Sequence, residues 1–287
     1  MRTLDGKVVV ITGAGSGIGR ELALIAAGRG ALLALSDVDD VGLHETAERA
    51  KTRMAREIRA DQLDVHDREA MRKYAASVKD HFGRVNVIIN NAGVALHGDF
   101  EEMSYEAFER VMDVNFWGVI QGTKEFLPHL VESGDGHIVN ISSLFGLMGV
   151  PGQSAYNASK FGVRGFTEAL RQEMLIAKHP VRVSCVHPGG IKTAIARNAA
   201  TTATHDPAMF AEFFDKKLAR TTAEKAAQVI LDGVLRDKPR IVVGSDAKVL
   251  DAWVRAVGPR YQSVVARVVG RILPKTSRDR EHTGIPG

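Results

Sequence analysis

The chain has 287 residues, 45% apolar and 25% charged, with one cysteine and a formal net charge of +4. That composition suits one sizeable globular core and excludes a disulfide-built scaffold, and no apolar run approaches the ~18 residues of a membrane span. From Asp246 onward eight Lys/Arg face four Asp/Glu, whereas the preceding 245 residues are balanced, so the positive charge sits in a tail and nucleic-acid binding, which needs a basic face on the folded domain, is not expected.

Residues 7–11, KVVVI, read as a short strand buried on both sides. TGAGSGIG follows, then an apolar-periodic helix. Glycines at 13, 15, 17 and 19 let the backbone turn tightly and bring a helix start close to a pyrophosphate, with Ser16 and Ile18 in the same bend. The spacing is not G-x-G-x-x-G, because Ile18 and Arg20 occupy the places where its third glycine would fall. A second strand, ALLALSD, ends in Asp37, twenty residues beyond Gly17. A carboxylate there accepts both hydroxyls of an adenosine ribose and repels a 2′-phosphate, and Val38 beside it offers no cation. NAD is therefore expected over NADP; a cap on the next helix is the plainer use of Asp37.

A helix over 40–57 and a strand near 58–65 follow, the latter setting Asp64 and Val65 where an adenine ring can be held. After a helix at 67–82, the strand VNVIIN runs into Asn90-Asn91-Ala92-Gly93, small and amide residues suited to close passage of a ligand or to an ordinary turn. Two helices cover 104–114 and up to 131, with Asn115 interrupting DVNFWG between them. Strand 137–142 delivers Ser143, helix 154–178 carries Tyr156 and Lys160, and strand 181–187 stops at Pro188-Gly189-Gly190-Ile191, followed by Lys192 and Thr193. Strands alternating with helices dictate a parallel sheet covered on both faces, whose strand ends share one ligand-binding edge.

Tyr156 and Lys160 are four apart and project from one helix face. A phenol titrates near ~10, and an ammonium one turn away favours its anion. On these residues together — Thr12-Gly13-x-x-x-Gly17-x-Gly19, Asp64, Asn90-Asn91-Ala92-Gly93, Asn115, Ser143, Tyr156-x-x-x-Lys160 and Pro188-Gly189 — the sequence resembles the short-chain dehydrogenase/reductase family from about Gly6 to Thr193. The resemblance implies a doubly wound α/β fold with a seven-stranded parallel sheet ending in 240–243. It implies NAD on the Gly13–Gly19 turn, with Asp37 on its ribose, Asn91 to Gly93 beside its path, and Ile191 and Thr193 at its carboxamide. Lys160 then contacts the nicotinamide ribose and lowers the Tyr156 pKa, Ser143 holds the substrate oxygen, Tyr156 takes its proton, and Asn115 positions a water in a proton relay. A four-helix contact between subunits implies a homodimer or homotetramer.

One domain over 1–245 is expected, with a substrate lid at 194–220 and a basic amphipathic extension over 246–287. Leu96, Leu144, Phe145, Met148 and Val150, with Met209, Phe210, Phe213 and Phe214, give an apolar pocket mouth without an obvious cationic clamp, since Lys192 and Arg197 read as solvated. A lipophilic secondary alcohol or ketone, steroid-like, retinoid-like or long-chain, is the expected substrate. In the extension, Leu250, Trp253, Val254, Val257, Tyr261, Val265 and Val269 recur at helical steps, and Gly258-Pro259 splits them into two helices. Packing on the protein is preferred to lying on an anionic membrane through 246–272. No metal-ligand spacing occurs, and with the first strand begun by Lys7 a cytoplasmic location is expected. The alternative function is a nucleotide-sensing or scaffolding protein that retains the cofactor site without turnover.

Overall fold

Val8–Thr12 (β1) is five buried residues in a row, and a strand hidden on both faces belongs at the centre of a parallel sheet. The computed structural model describes residues 1–53, 55–195, 197–213, 216 and 219–272. After β1 come β2 (Leu32–Asp37), β3 (Ile58–Gln62), β4 (Val87–Asn90), β5 (Gly136–Ile141), β6 (Val181–Pro188) and β7 (Arg240–Val243). Across the sheet the order is β7-β6-β5-β4-β1-β2-β3, and every pairing is parallel. The chain thus starts in the middle, winds outward through β3, returns beside β1 and winds out the other way. That reversal between β1 and β4 opens a crevice at the carboxyl ends of the strands.

Strand alternation divides the core in two. Val9 and Ile11 of β1, with Ile89 of β4 and Val139 of β5, face the helices α1 (Gly17–Gly28) and α2 (Asp40–Lys51), packing with Leu22 and Leu43. Val10, Ile88 and Ile138 face the other way, onto α3 (Arg68–Phe82), α5 (Gly118–Glu132) and α6 (Ser154–Ile176), through Met71, Phe126 and Leu170. Between α3 and α5 lies the short α4 (Tyr105–Met112), and beyond α6 come α7 (Pro207–Phe213) and α8 (Ala223–Leu235). Ile230 of α8 joins the first layer. Helix starts are marked by side chains accepting backbone N–H groups: Asp39 from Gly42, Asp67 from Ala70, Ser104 from Ala107 and Thr222 from Lys225.

Two boundaries differ from expectation by three residues or more. The helix expected over 40–57 stops at Lys51, because Arg53 and Ala55 both donate to the Ala50 carbonyl and Glu57 is drawn to the edge of β2, accepting the Leu33 N–H at 2.9 Å. The strand expected to reach 65 stops at Gln62, because β2 ends at Asp37 and offers nothing beyond the Leu63 N–H to Asp37 bond. Two parallel ladders of two residues, Leu96–His97 with Ala200–Thr201 and Ile191–Lys192 with Thr221–Thr222, are too short for periodicity to announce. They anchor the segment between β6 and α8.

The C-terminal extension folds as α9 (Ser245–Val257) and α10 (Tyr261–Ile272), joined by a tight turn at Gly258–Arg260. Leu250, Val254, Tyr261 and Val265 pack on Leu144, Leu147 and Met148. The expected packing on the protein is what these helices do. No described helix is long and apolar enough to cross a membrane.

Candidate active site

A cleft of about 800 Å³ runs along the carboxyl edge of the sheet. At one end is the bend between β1 and α1. Gly13 and Gly17 have φ of 66° and 55°, a region that residues with a Cβ rarely enter. A Cβ on Gly13 would lie 2.7 Å from the Ala92 Cα, and one on Gly19 2.0 Å from the Gly13 carbonyl oxygen. Helix α1 begins with no side-chain cap and no acidic residue in its first turn. Its first N–H groups and the positive end of its dipole are left for an anion. Asn91 fixes the bend from the next strand, donating from Nδ2 to the carbonyls of Thr12 and Gly13, each at 3.0 Å. The Thr12 hydroxyl accepts the N–H groups of Asn91 and Ala92.

Asp37 closes this end. It accepts the Gly15 N–H at 2.7 Å and the Asp39 N–H at 3.0 Å, so the carboxylate is held at the cleft wall with lone pairs to spare. Arg20, a cation of the same bend, is committed to the Gly15 carbonyl and to Glu45. Asp64 and Val65 line the cleft further along, with Asp64 also accepting the His66 N–H.

Ser143, Tyr156 and Lys160 meet on the other side. Ser143 leaves β5 in extended conformation, and its Oγ accepts the Phe145 N–H at 3.1 Å. The Tyr156 hydroxyl hydrogen-bonds Ser143, and its half-buried ring stands edge-on to Phe145. Lys160 is 3% exposed; its Nζ donates to the Ile141 carbonyl at 3.1 Å and lies 5.5 Å from the Tyr156 ring centre. Burial lowers the Lys160 pKa to about 8, which leaves it mostly protonated at neutral pH. Among the protein's own groups, desolvation raises Tyr156 to about 12, opposed by the Ser143 hydroxyl.

Asn115 sits in a π-helical turn, Asp113–Trp117, between α4 and α5, a local widening frequent at functional sites. Its side chain is fully buried, accepting the Val94 N–H at 2.8 Å and donating to the Val94 carbonyl and to Ser159. It stands behind Gly93, where a Cβ would come within 3.1 Å of its Oδ1 and 3.5 Å of Lys160 Nζ.

Of the residues expected from sequence, Gly13, Ser16, Gly17, Ile18, Asp37, Asp64, Val65, Asn91, Ala92, Gly93, Ser143, Tyr156, Lys160, Pro188, Gly189, Ile191 and Thr193 border the cleft. Gly15, Gly19 and Asn115 support it from behind. The substrate end departs more from expectation. Leu144 and Phe145 line it, but Met148 and Val150 are taken up by the α9–α10 contact, and Leu96 packs with Val111 and Ala155. Met209 is not among the lining residues, and the side chains of Phe210, Phe213 and Phe214 lie outside the described residues. Instead Gln153, Ile195, Asn198, Val249 and Leu250 form the wall, and two cations, Arg110 and Arg220, border the cleft. Only Gln153 carries a sequence signal, its place three residues before Tyr156. Asn157 was missed as well: its amide donates to the Phe145 and Met148 carbonyls and accepts from Val150, stapling the 144–150 loop to α6.

A sheet reversing at β1 and β4, a bare helix start against a glycine bend, and a Ser, a Tyr and a Lys around one point define a nucleotide-dependent oxidoreductase of the doubly wound class. Residues 7–204 match the short chain dehydrogenase family, and the chain belongs to it. It is 56% identical over 274 residues to SadH of Mycobacterium tuberculosis strain H37Rv, covering 96% of this chain and 99% of that protein. Epidermal retinol dehydrogenase 2 of Homo sapiens is 37% identical over 201 residues, 70% of this chain and 65% of that one. A short chain dehydrogenase/reductase from Burkholderia phymatum in complex with NAD superposes with a TM-score of 0.84 at 29% identity, covering 91% and 97% of the two chains. The protein is an oxidoreductase that uses a nicotinamide cofactor. Its own residues fit that group: the glycine bend leaves no room for a side chain beside the bare N-terminus of α1.

Proposed function

We propose that the chain oxidises a lipophilic secondary alcohol with NAD, or reduces the matching ketone with NADH, Tyr156 serving as acid and base. The observation that carries this is the meeting of Ser143, Tyr156 and Lys160 at the middle of one cleft whose far end is the glycine bend. Ser143 Oγ holds the substrate oxygen, and Tyr156 Oη takes the hydroxyl proton in oxidation and returns it in reduction. Bringing a phenol from about 12 towards neutrality requires roughly 7 kcal/mol of preferential stabilisation of its anion, more than one lysine 5.5 Å from the ring supplies. A bound oxidised nicotinamide supplies the hydride acceptor and a second positive charge beside the phenol. Lys160 also orients the cofactor ribose, and Asn115 fixes the backbone at Val94 and holds a water in the proton path to solvent.

Three features support the finer choices. Asp37 with Asp39 beside it and Arg20 already engaged favours NAD over NADP. Leu144, Phe145, Ile195, Val249 and Leu250 give the substrate end an apolar lining, and a relative is named for retinol, a lipophilic alcohol. Trp117 on the turn into α5 and Phe161 on α6 are exposed apolar side chains, which favours pairing of these helices in a homodimer or homotetramer.

The test is a fluorescence screen of lipophilic secondary alcohols and ketones with NAD(H) and NADP(H) in parallel, repeated with Tyr156→Phe. Turnover should prefer NAD(H), and the substitution should reduce kcat by about 10³-fold. Retention of wild-type kcat by Tyr156→Phe would remove the role given to Tyr156.

A further inference from the structure

The residue just before α6 has a side chain that the reaction above leaves unused. Gln153 is the N-cap position of that helix, three residues before Tyr156. Both line the cleft. Gln153 is 4% exposed, and its side chain makes no cap on its own helix. A buried amide must find partners elsewhere. One is His97: Gln153 Nε2 lies 3.0 Å from its Nδ1.

The His97 ring is 4% exposed, and burial lowers its pKa to about 4, so the ring is neutral. The Gln153 amide presents its Nε2 to the Nδ1 of that ring. Gln153 Oε1 is then the atom left for the cleft. The arrangement is braced from behind: the His205 ring stands edge-on to His97 with centres 4.9 Å apart, and the hydroxyls of Thr202 and Thr204 hold His205.

We infer that Gln153 determines substrate specificity: its Oε1, on the cleft wall with Leu144, Phe145 and Tyr156, accepts a hydrogen bond from a second donor on the substrate. The preferred substrate is then a lipophilic alcohol with a further hydroxyl or N–H close to the reacting carbinol. This rests on the reaction proposed above. A site built to receive a donor disfavours the analogue that lacks it, because the acceptor is left unpaired in the complex.

The probes are decane-2,4-diol and 2-decanol, with kcat/KM measured for each with NAD. The wild type should favour the diol by about tenfold, the effect of one hydrogen bond. Gln153→Met, close in size and lacking the acceptor, should bring the ratio near one. Gln153→Glu, which keeps an acceptor at the same reach, should retain the preference, whereas a merely structural role would not separate Met from Glu. An unchanged ratio in Gln153→Met, or equal use of the two probes by the wild type, overturns the role of Gln153 while leaving the dehydrogenase reading intact. If the wild type oxidises neither probe, the lipophilic-alcohol reading fails and this inference falls with it.

Discussion

The two ends of the cleft are built differently. At the β1–β3 end the walls are backbone and short side chains close to strand tips: Gly13 and Gly17 of the bend, Asp37 at the end of β2, Asn91 just past β4. At the other end they come from segments far apart in the chain, with Leu144 and Phe145 after β5, Gln153 before α6, Ile195 and Asn198 after β6, and Val249 and Leu250 in α9. A ligand recognised by backbone N–H groups and one carboxylate needs little sequence to specify its site. A wall made of side chains from four segments is free to vary with each of them. The first end is read as a motif and the second only as a fold.

The largest expected effect tests the substrate half through acid. His137, His187 and His97 stand on β5, on β6 and on the short strand after β4, and burial lowers their pKa values to about 3, 4 and 4. Their ordinary value is near ~6.5, so in the folded chain they stay neutral where the unfolded chain binds protons. Stability from these groups is present above ~6.5 and is lost as pH falls towards 4. At pH 5 each costs about 2 kcal/mol, together a large part of a typical folding free energy. Denaturant unfolding at pH 7, 6 and 5 should show a falling midpoint with up to three protons taken up. A midpoint independent of pH over that range would break the assignment of neutral buried histidines.

Gly19→Ala addresses the cofactor half. The added methyl would meet the Gly13 carbonyl oxygen at 2.0 Å and the Asn91 amide at 2.6 Å, both of which build the bend. The backbone must move, and about 3 kcal/mol of NAD binding should go with it, a loss of more than a hundredfold. Titration of NADH fluorescence measures this, and binding within tenfold of wild type would show the bend to be more forgiving than its geometry.

Asp37→Ala is expected to act less strongly. It removes the acceptor of the Gly15 and Asp39 N–H groups and, on the proposed reading, of the ribose hydroxyls. NAD affinity should fall about tenfold to a hundredfold, while NADP, relieved of a neighbouring negative charge, should lose much less. Parallel losses for both cofactors would mean that Asp37 shapes the loop without reading the ribose.

These outcomes bear on what the sequence made legible. Six of the strands and the β1–α1 bend followed from apolar runs and glycine spacing, because a parallel sheet imposes both, whereas the seventh was expected only from the family resemblance. Tyr156 and Lys160 were legible because helical spacing alone puts them on one face. Leu96, Met148 and Val150 were misplaced because apolarity does not distinguish a cleft wall from packing on Val111 and Ala155, in the first case, or on α9 and α10, in the other two. Arg220 was hidden because its place depends on a two-residue ladder between 191–192 and 221–222. Asn157 acts through backbone groups of the 144–150 loop and His97 through the Gln153 side chain, contacts that no pattern along the chain records.

The smallest predicted effect asks whether the C-terminal extension belongs to the substrate half alone. Tyr261 Oη accepts the Gly149 N–H at 2.8 Å, and the ring packs with Leu144 and Met148. It thereby ties α10 to the loop that carries Phe145 towards Tyr156. Tyr261→Phe keeps the ring and removes the acceptor. Gly149 is only half-buried, so water can replace part of the lost bond, and the change should cost about 1 kcal/mol with a fall of about 2–4 °C in Tm. The kinetic signature should be sharper than the thermal one: a looser 144–150 loop raises KM for the alcohol and leaves the NAD dissociation constant unmoved, since none of the atoms involved touches the glycine bend. An equal rise in both constants would show that the two ends of the cleft are mechanically one, and the division drawn between them would have to be given up.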